Sequence, residues 1–380
     1  MLLRSRGTWT LFFEEVQWLA CYQEVFIAEL KHAWDNQFRN NDRLIVVLCG
    51  SSPSFMVGKV LKSSALYNRS MHELPLAPFT LSETRQFLAG KFSHQEVMDA
   101  YLSVGGVPEY LKFLKQDSSV MLALCKSSFT SGGFFSTERD RVFVSSLAAN
   151  KHYATIVETL SRRRFATRPQ IAARLKIDAG GSLTSLLTDL ELCGFIGRYV
   201  PFNLGANAKL ARYVVRDQFL QFYYKFIAAK RGAIAQGAFD DHPESALSSD
   251  TYYIWLGFAF ERYCRANAHK LAQSLGFGAV SFRAGAFYNR ATEKEDSNYQ
   301  IDLVFDRGDR VLSLCEIKYQ RGAVTKKVIQ EFETKLALFP NPGKRSIHKV
   351  LIAAQGADAA VTKSGYFDRI LTLDDIFEMG

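Results

Sequence analysis

The chain has 380 residues, 48% of them hydrophobic and 22% charged, a balance that excludes a disordered or fibrous protein and calls for two or three hydrophobic cores rather than one. Its formal net charge of +9 favours a polyanionic partner, because clustered Lys and Arg attract phosphate. No run of about 18 apolar residues occurs, and Met1 to Arg6 are followed by polar residues instead of an apolar signal core. The expectation is a cytoplasmic protein with neither a membrane span nor a secretory leader.

Residues 10–114 alternate short apolar runs, Leu11 to Phe13 and Leu44 to Cys49, with longer segments of helical period, Trp18 to Trp34 and Ser82 to Phe92. That alternation predicts an α/β unit with parallel strands. The first run delivers Glu14 and Glu15. Consecutive carboxylates at the mouth of a parallel strand suit a magnesium ion on nucleotide phosphates and an attacking water, and an exposed acidic turn after a buried strand gives the same string. The second run ends in Gly50-Ser51-Ser52, which puts hydroxyls where a γ-phosphate would be sensed. Cys21, Cys49, Cys125, Cys193, Cys264 and Cys315 form no CxxC pair and stand at no metal-ligand spacing, so reduced thiols are expected.

From Lys151 to Asp217 come three helix-like segments and an extended pair, Ile196 to Phe202 and Leu210 to Val215, the pattern of a winged helix-turn-helix. Pro169 stands near the start of the second helix. The third presents Leu183, Leu186, Leu187 and Leu190 to a core and Thr184, Ser185 and Thr188 outward. Those hydroxyls, with Arg162, Arg163, Arg164 and Arg168 and the neighbouring Arg174, are the DNA-binding candidates. A protein-docking role is the alternative, because Asp189 and Glu191 weaken the basic face. The aromatic run Arg212 to Tyr224 predicts a helix serving as interdomain core. Gly237 to Asp250 is polar and reads as a linker.

Beyond it, Ile254 to Gly276 predicts one amphipathic helix carrying Glu261. Strands follow at Ala279 to Phe282, Gln300 to Phe305 and Val311 to Tyr319, and a helix at Lys326 to Leu338. Glu316 and Lys318 share a face by strand alternation, and Asp302 on the neighbouring strand can meet them. This set resembles the signature of a PD-(D/E)XK nuclease. The resemblance implies Asp302, Glu316 and Lys318 as catalytic residues and Asp302, Glu316 and Glu261 as ligands of Mg²⁺. An ordinary cross-strand salt bridge is the competing reading. Gln330 is a weaker candidate for a polar contact, and Lys326, Lys327, Lys335, Lys344, Arg345 and Lys349 form a surface suited to a phosphate backbone.

Taken with Leu66-Tyr67-Asn68-Arg69-Ser70, Leu74 to Phe79 and Gly105-Gly106-Val107-Pro108-Glu109-Tyr110, these segments resemble, in order, a prokaryotic AAA-like ATPase family whose members carry a winged helix and a C-terminal nuclease-like domain. The resemblance implies a multidomain α/β fold: a partial P-loop-type ATPase domain (1–125), a winged helix with an aromatic connecting helix (126–236), a linker (237–251) and a nuclease-like domain (252–380). It implies ATP as the family's ligand, with Glu14, Glu15, Ser51 and Arg69 near it. Two departures stand out. No GxxxxGK[ST] loop occurs, since Gly58-Lys59 is followed by Val60 and preceded, five residues earlier, by Pro53. Glu14 stands where the family has Asp, and octahedral Mg²⁺ tolerates the longer side chain poorly. An ATPase remnant or an N-terminally truncated gene product is therefore expected, with ATP hydrolysis lost. The expected function is a DNA-associated protein with an Mg²⁺-dependent nuclease-like domain. The alternative is a non-catalytic regulatory or interaction module, and homo-oligomerisation is left open.

Overall fold

Parallel strands cannot be joined by a tight turn, so the long parallel strand pairs among the described residues each bracket a helix. The computed structural model describes residues 7–20, 25–61, 66, 69, 72–147, 150–200, 202, 211–289 and 299–379. They form a mixed α/β protein of two units built from interleaved segments. One comprises residues 1–77, 137–197 and 213–217, the other residues 78–136, 198–212 and 218–380. Among the described residues no helix is long and apolar enough to cross a membrane.

In the first unit, β1 (Trp9–Phe13) and β2 (Leu44–Leu48) pair in parallel from Trp9↔Leu44 to Phe13↔Leu48. The helix Val25–Asn36 lies between them in sequence. The segment expected as one helix from Trp18 to Trp34 is thus divided, with a short helix at Val16–Leu19 and residues 21–24 outside the described set. Val16, Ala20, Ile27, Phe55 and Val60 form the core here.

Three further helices, Lys151–Ser161, Arg168–Leu175 and Gly181–Leu192, accompany β3 (Ala166–Thr167), β4 (Ile196–Tyr199) and β5 (Arg212–Val215), arranged in the order β3-β5-β4. Residues 203–210, where the second extended segment was expected to begin, lie outside the described set. Helical periodicity decides the packing: Ile156, Val157, Leu160, Ile171, Ala172, Leu175, Leu183, Leu186, Leu187 and Leu190 are all buried. Pro169 sits in the first turn of its helix, where its missing N–H costs nothing, and Thr167 with Gln170 closes a capping box.

The second unit opens with the helices Leu81–Phe87 and His94–Val104, each started by a capping box, Thr80 with Glu83 and Ser93 with Glu96. Gly105 follows with φ 73°. A Cβ on Gly106 would stand 1.9 Å from the Phe79 carbonyl oxygen, so backbone approach demands glycine there. The aromatic run becomes the helix Gln218–Phe222 and a π-helical turn, Tyr223–Ile227. Its Phe222 and Phe226 rings lie 5.8 and 5.4 Å from Trp255. The polar stretch 237–251 has structure of its own: Pro243, Ala246 and Leu247 are buried, and Asp240 accepts hydrogen bonds from Ser131 N (2.6 Å) and Oγ (2.8 Å).

The dominant sheet contains β6 (Phe282–Asn289), β7 (Tyr299–Arg307), β8 (Val311–Lys318), β9 (Ser346–Ala353) and β10 (Arg369–Leu371), in the order β10-β9-β8-β7-β6. The β6, β7 and β8 strands form an antiparallel meander, while β8, β9 and β10 run parallel. The helix Lys327–Leu338 lies in the β8–β9 crossover and buries Val328 and Phe332 against Leu312, Leu314, Leu351 and Ala353. The helix Ser249–Ala266 packs against β6, β7 and β8.

Two boundaries differ from expectation. The helix expected from Ile254 to Gly276 is two helices, Ser249–Ala266 and Ala268–Ser274. They meet at Asn267, whose side-chain amide donates to the Tyr263 carbonyl (2.9 Å), a local bond that competes with straight helical geometry. The strand expected from Ala279 to Phe282 starts only at Phe282, because Val280 N–H closes a turn onto Phe277 O (2.9 Å).

Candidate functional site

In the β7–β8 ladder Leu303 pairs with Cys315. One step further along each strand stand Asp302 and Glu316, on one face of the pleat. Asp302 is 7% exposed and Glu316 fully buried. Asp302 Oδ2 accepts from Ile317 N–H (3.0 Å) and Oδ1 from Gln300 Nε2 (2.9 Å). Gln300 also donates to Glu261 Oε2 (3.3 Å), tying the helix Ser249–Ala266 to the strand carboxylate. Arg265 donates to Glu261 and to the Asp302 carbonyl, both at 3.2 Å. Lys318 Nζ lies 3.0 Å from Glu316 Oε1 and 3.3 Å from Glu331 Oε2. Lys335 Nζ reaches both Glu316 oxygens, at 2.7 and 2.6 Å. The sequence-derived set Asp302, Glu316, Lys318 and Glu261 is therefore gathered in one place.

Burial, then the neighbouring Glu316 and Glu261 carboxylates, push Asp302 up to about 7, against the opposing pull of Lys335 and the Ile317 N–H. Burial works against the Lys318 ammonium, but the Glu316 and Glu331 carboxylates outweigh it and hold its pKa above the ordinary lysine value. Lys318 is accordingly a cation at neutral pH, fitted to orient an anion or a water rather than to take a proton. Beyond it, Tyr319 donates to Asp99 (2.5 Å), itself pushed up to about 6 by burial, and this bond anchors the end of β8 to the helix His94–Val104.

Among the described residues no three His, Cys, Asp or Glu side chains are disposed as a metal-ligand set. Both Glu316 oxygens are turned to Lys335. The donors themselves suit a hard cation: they are all oxygen, and Asp302 and Glu316 repel each other across adjacent strands. Mg²⁺ commonly takes one or two protein carboxylates and keeps its waters, so these two residues fit it once the Lys335 ammonium yields. Sequence reasoning placed Lys335 only among surface lysines and passed over Gln300. Both were signalled: Lys335 continues the buried stripe Val328 and Phe332 at helical spacing, and Gln300 precedes Asp302 by two on the same strand face. Gln330 is exposed.

In the first unit, Glu15 closes β1 in the left-handed region, φ 51°. Its Oε2 accepts from Ser51 Oγ (2.7 Å) and from Gln17 Nε2, and Gln17 donates also to Ser51 Oγ (2.9 Å). Gln17 is buried, with Oε1 lacking a hydrogen-bond partner among the described residues. The parallel strand ends thus bring Glu15 and Ser51 together, while Glu14 is exposed and takes no part in those bonds. Arg69 forks onto Asp35 at 2.9 and 3.0 Å, holding that carboxyl below its usual range. Tyr67, Asn68 and Ser70 lie outside the described residues.

On the three-helix segment, Arg162, Arg163 and Arg174 line an open concavity of about 250 Å³ with Glu158 and Thr159. Arg162 pairs with Glu158 (2.6 Å), and Arg164 is exposed. Arg168 instead binds the Ala179 and Gly180 carbonyls and Thr184 Oγ1, which draws it and Thr184 into the turn before the third helix. Ser185 bonds back to Gly181 O (3.3 Å), and Thr188 is exposed. Asp189 accepts from Tyr153 (2.5 Å).

Fold and site together define a mixed α/β protein with a buried carboxylate–lysine cluster on one sheet. No protein-family model matches the chain. It is similar to an uncharacterized protein of Methanocaldococcus jannaschii, MJECL04, at 26% identity over 302 residues, 78% of this chain and 65% of that protein. The chain thus spans less than two thirds of that relative's length. Among solved structures, the Walker-type ATPase PABY2304 of Pyrococcus abyssi aligns with a TM-score of 0.40 and 17% identity, over 57% of this chain and 63% of that one.

Proposed function

We propose that the segment 252–380 is a nuclease-like domain of the PD-(D/E)XK type acting on DNA phosphodiesters, in a chain that also carries a winged helix (126–236) and a partial ATPase domain (1–125) that no longer hydrolyses ATP. The observation that carries this reading is the meeting of Asp302, Glu316 and Lys318 at one end of the antiparallel strands. Mg²⁺ held by Asp302 and Glu316 would polarise the scissile phosphate. The Lys318 ammonium, kept charged by Glu316 and Glu331, stabilises negative charge on the phosphate and orients the attacking water. Gln300 and Arg265 fix Glu261 and the Asp302 backbone, so the carboxylates are positioned before substrate arrives.

The test is nicking of supercoiled plasmid by the full chain with Mg²⁺ or Mn²⁺. Wild type should nick. Asp302→Ala and Lys318→Ala should fall to background with circular dichroism unchanged. A second reading, a non-catalytic interaction module, is favoured by the two ammonium groups that already neutralise Glu316. Wild type that never nicks would leave that reading standing.

DNA docking in this proposal uses the concavity of Arg162, Arg163 and Arg174. Duplex affinity should fall steeply between about 50 and 200 mM salt through counterion release, and replacing the three arginines by Ala should flatten the log–log slope by about 2 to 3. Fluorescence anisotropy measures both. An unchanged slope would place the phosphate contacts elsewhere.

A further inference from the structure

We infer that Lys335 is a built-in competitor for the divalent cation at Glu316, so that loading the site requires the Lys335 ammonium to be displaced. The inference rests on the reading of Asp302 and Glu316 as cation ligands and adds a residue with a defined role to it. Three observations carry it. Lys335 contacts both oxygens of a carboxylate that has no access to solvent, so it supplies the charge that buried Glu316 cannot do without. Its own side chain is 23% exposed, on the last turn of the helix Lys327–Leu338, which leaves the ammonium a route to water. Lys318 also touches Glu316, at 3.0 Å, but is shared with Glu331, so departure of Lys335 leaves the carboxylate with one divided counter-charge.

A divalent cation arriving at Glu316 meets an oxygen pair already engaged, and its apparent affinity is lowered by the stability of that ion pair. Once displaced, the flexible lysine stem can swing toward water, to which its side chain is already partly open. The lysine therefore resists cation loading without abolishing it, and removing its charge should tighten cation binding.

The experiment uses the full chain and Mn²⁺, followed by calorimetry and by the electron paramagnetic resonance of the free ion. Lys335→Gln and Lys335→Met should bind Mn²⁺ about tenfold or more tightly than wild type. Glu316→Gln should bind it far more weakly, which locates the ion. Because either lysine variant can fail to fold, wild type supplies an independent reading: saturating Mn²⁺ should raise acetylation of Lys335 by acetic anhydride several-fold, read by mass spectrometry. Equal or weaker Mn²⁺ affinity in folded variants, or Lys335 reactivity unchanged while Mn²⁺ binds, overturns the competitor role and leaves the cation site intact. Absence of Mn²⁺ binding in wild type and variants alike overturns the cation reading and this inference with it.

Discussion

Asp302→Asn is expected to stabilise the folded chain at pH 8 by on the order of 2–4 kcal/mol, with the gain vanishing near pH 4. The sign follows from the direction of the shift. Folding raises the Asp302 pKa from 3.8 to about 7, so the folded state prefers the protonated acid. Stability from this group is fully present below the unfolded value and is lost as pH rises through the folded one; above about 7 the whole penalty is in force. Asparagine keeps an oxygen for the Ile317 N–H and carries no charge beside Glu316 and Glu261. Urea unfolding of the second unit from pH 4 to pH 8 measures the difference. A variant no more stable than wild type at pH 8 would show that the ionised carboxylate is compensated, and that the strain expected of a functional cluster is absent.

Phe332→Ala should cost about 3–5 kcal/mol, the range for emptying a buried aromatic site. Phe332 is fully buried, within the cluster formed by Leu312, Leu314, Leu351 and Ala353, and it holds in place the helix that brings Glu331 to Lys318 and Lys335 to Glu316. Leu338→Ala on the same helix, 43% exposed, should stay within about 0.5 kcal/mol and serves as the control. The urea midpoint of the second unit reads both. A small loss in Phe332→Ala would mean that the helix is held by its ion pairs rather than by its apolar stripe.

Much of this was legible because local periodicity is a backbone property. Leu183, Leu186, Leu187 and Leu190 of the helix Gly181–Leu192 recur at helical spacing and are buried; residues 302, 316 and 318 fall on one face because strand side chains alternate. The division of the helix near Asn267 and the late start of β6 were not legible, since each turns on one local hydrogen bond that competes with a regular element. The Asp35 fork on Arg69 was equally hidden: a guanidinium takes whichever carboxylate folding brings within reach.

By itself, then, the sequence determined the element types and the apolar stripes, set by spacings of two to four residues, and named the cluster candidates by their places on neighbouring elements. Only the tertiary structure decided the electrostatics of the cluster: that Gln300 bridges Glu261 and Asp302, that burial raises Asp302, and that Lys335 neutralises Glu316. The reason is physical. Desolvation and charge pairing depend on what distant segments bring within a few ångströms, and nothing in the local pattern around Glu316 specifies which cation, nineteen residues further on, arrives there.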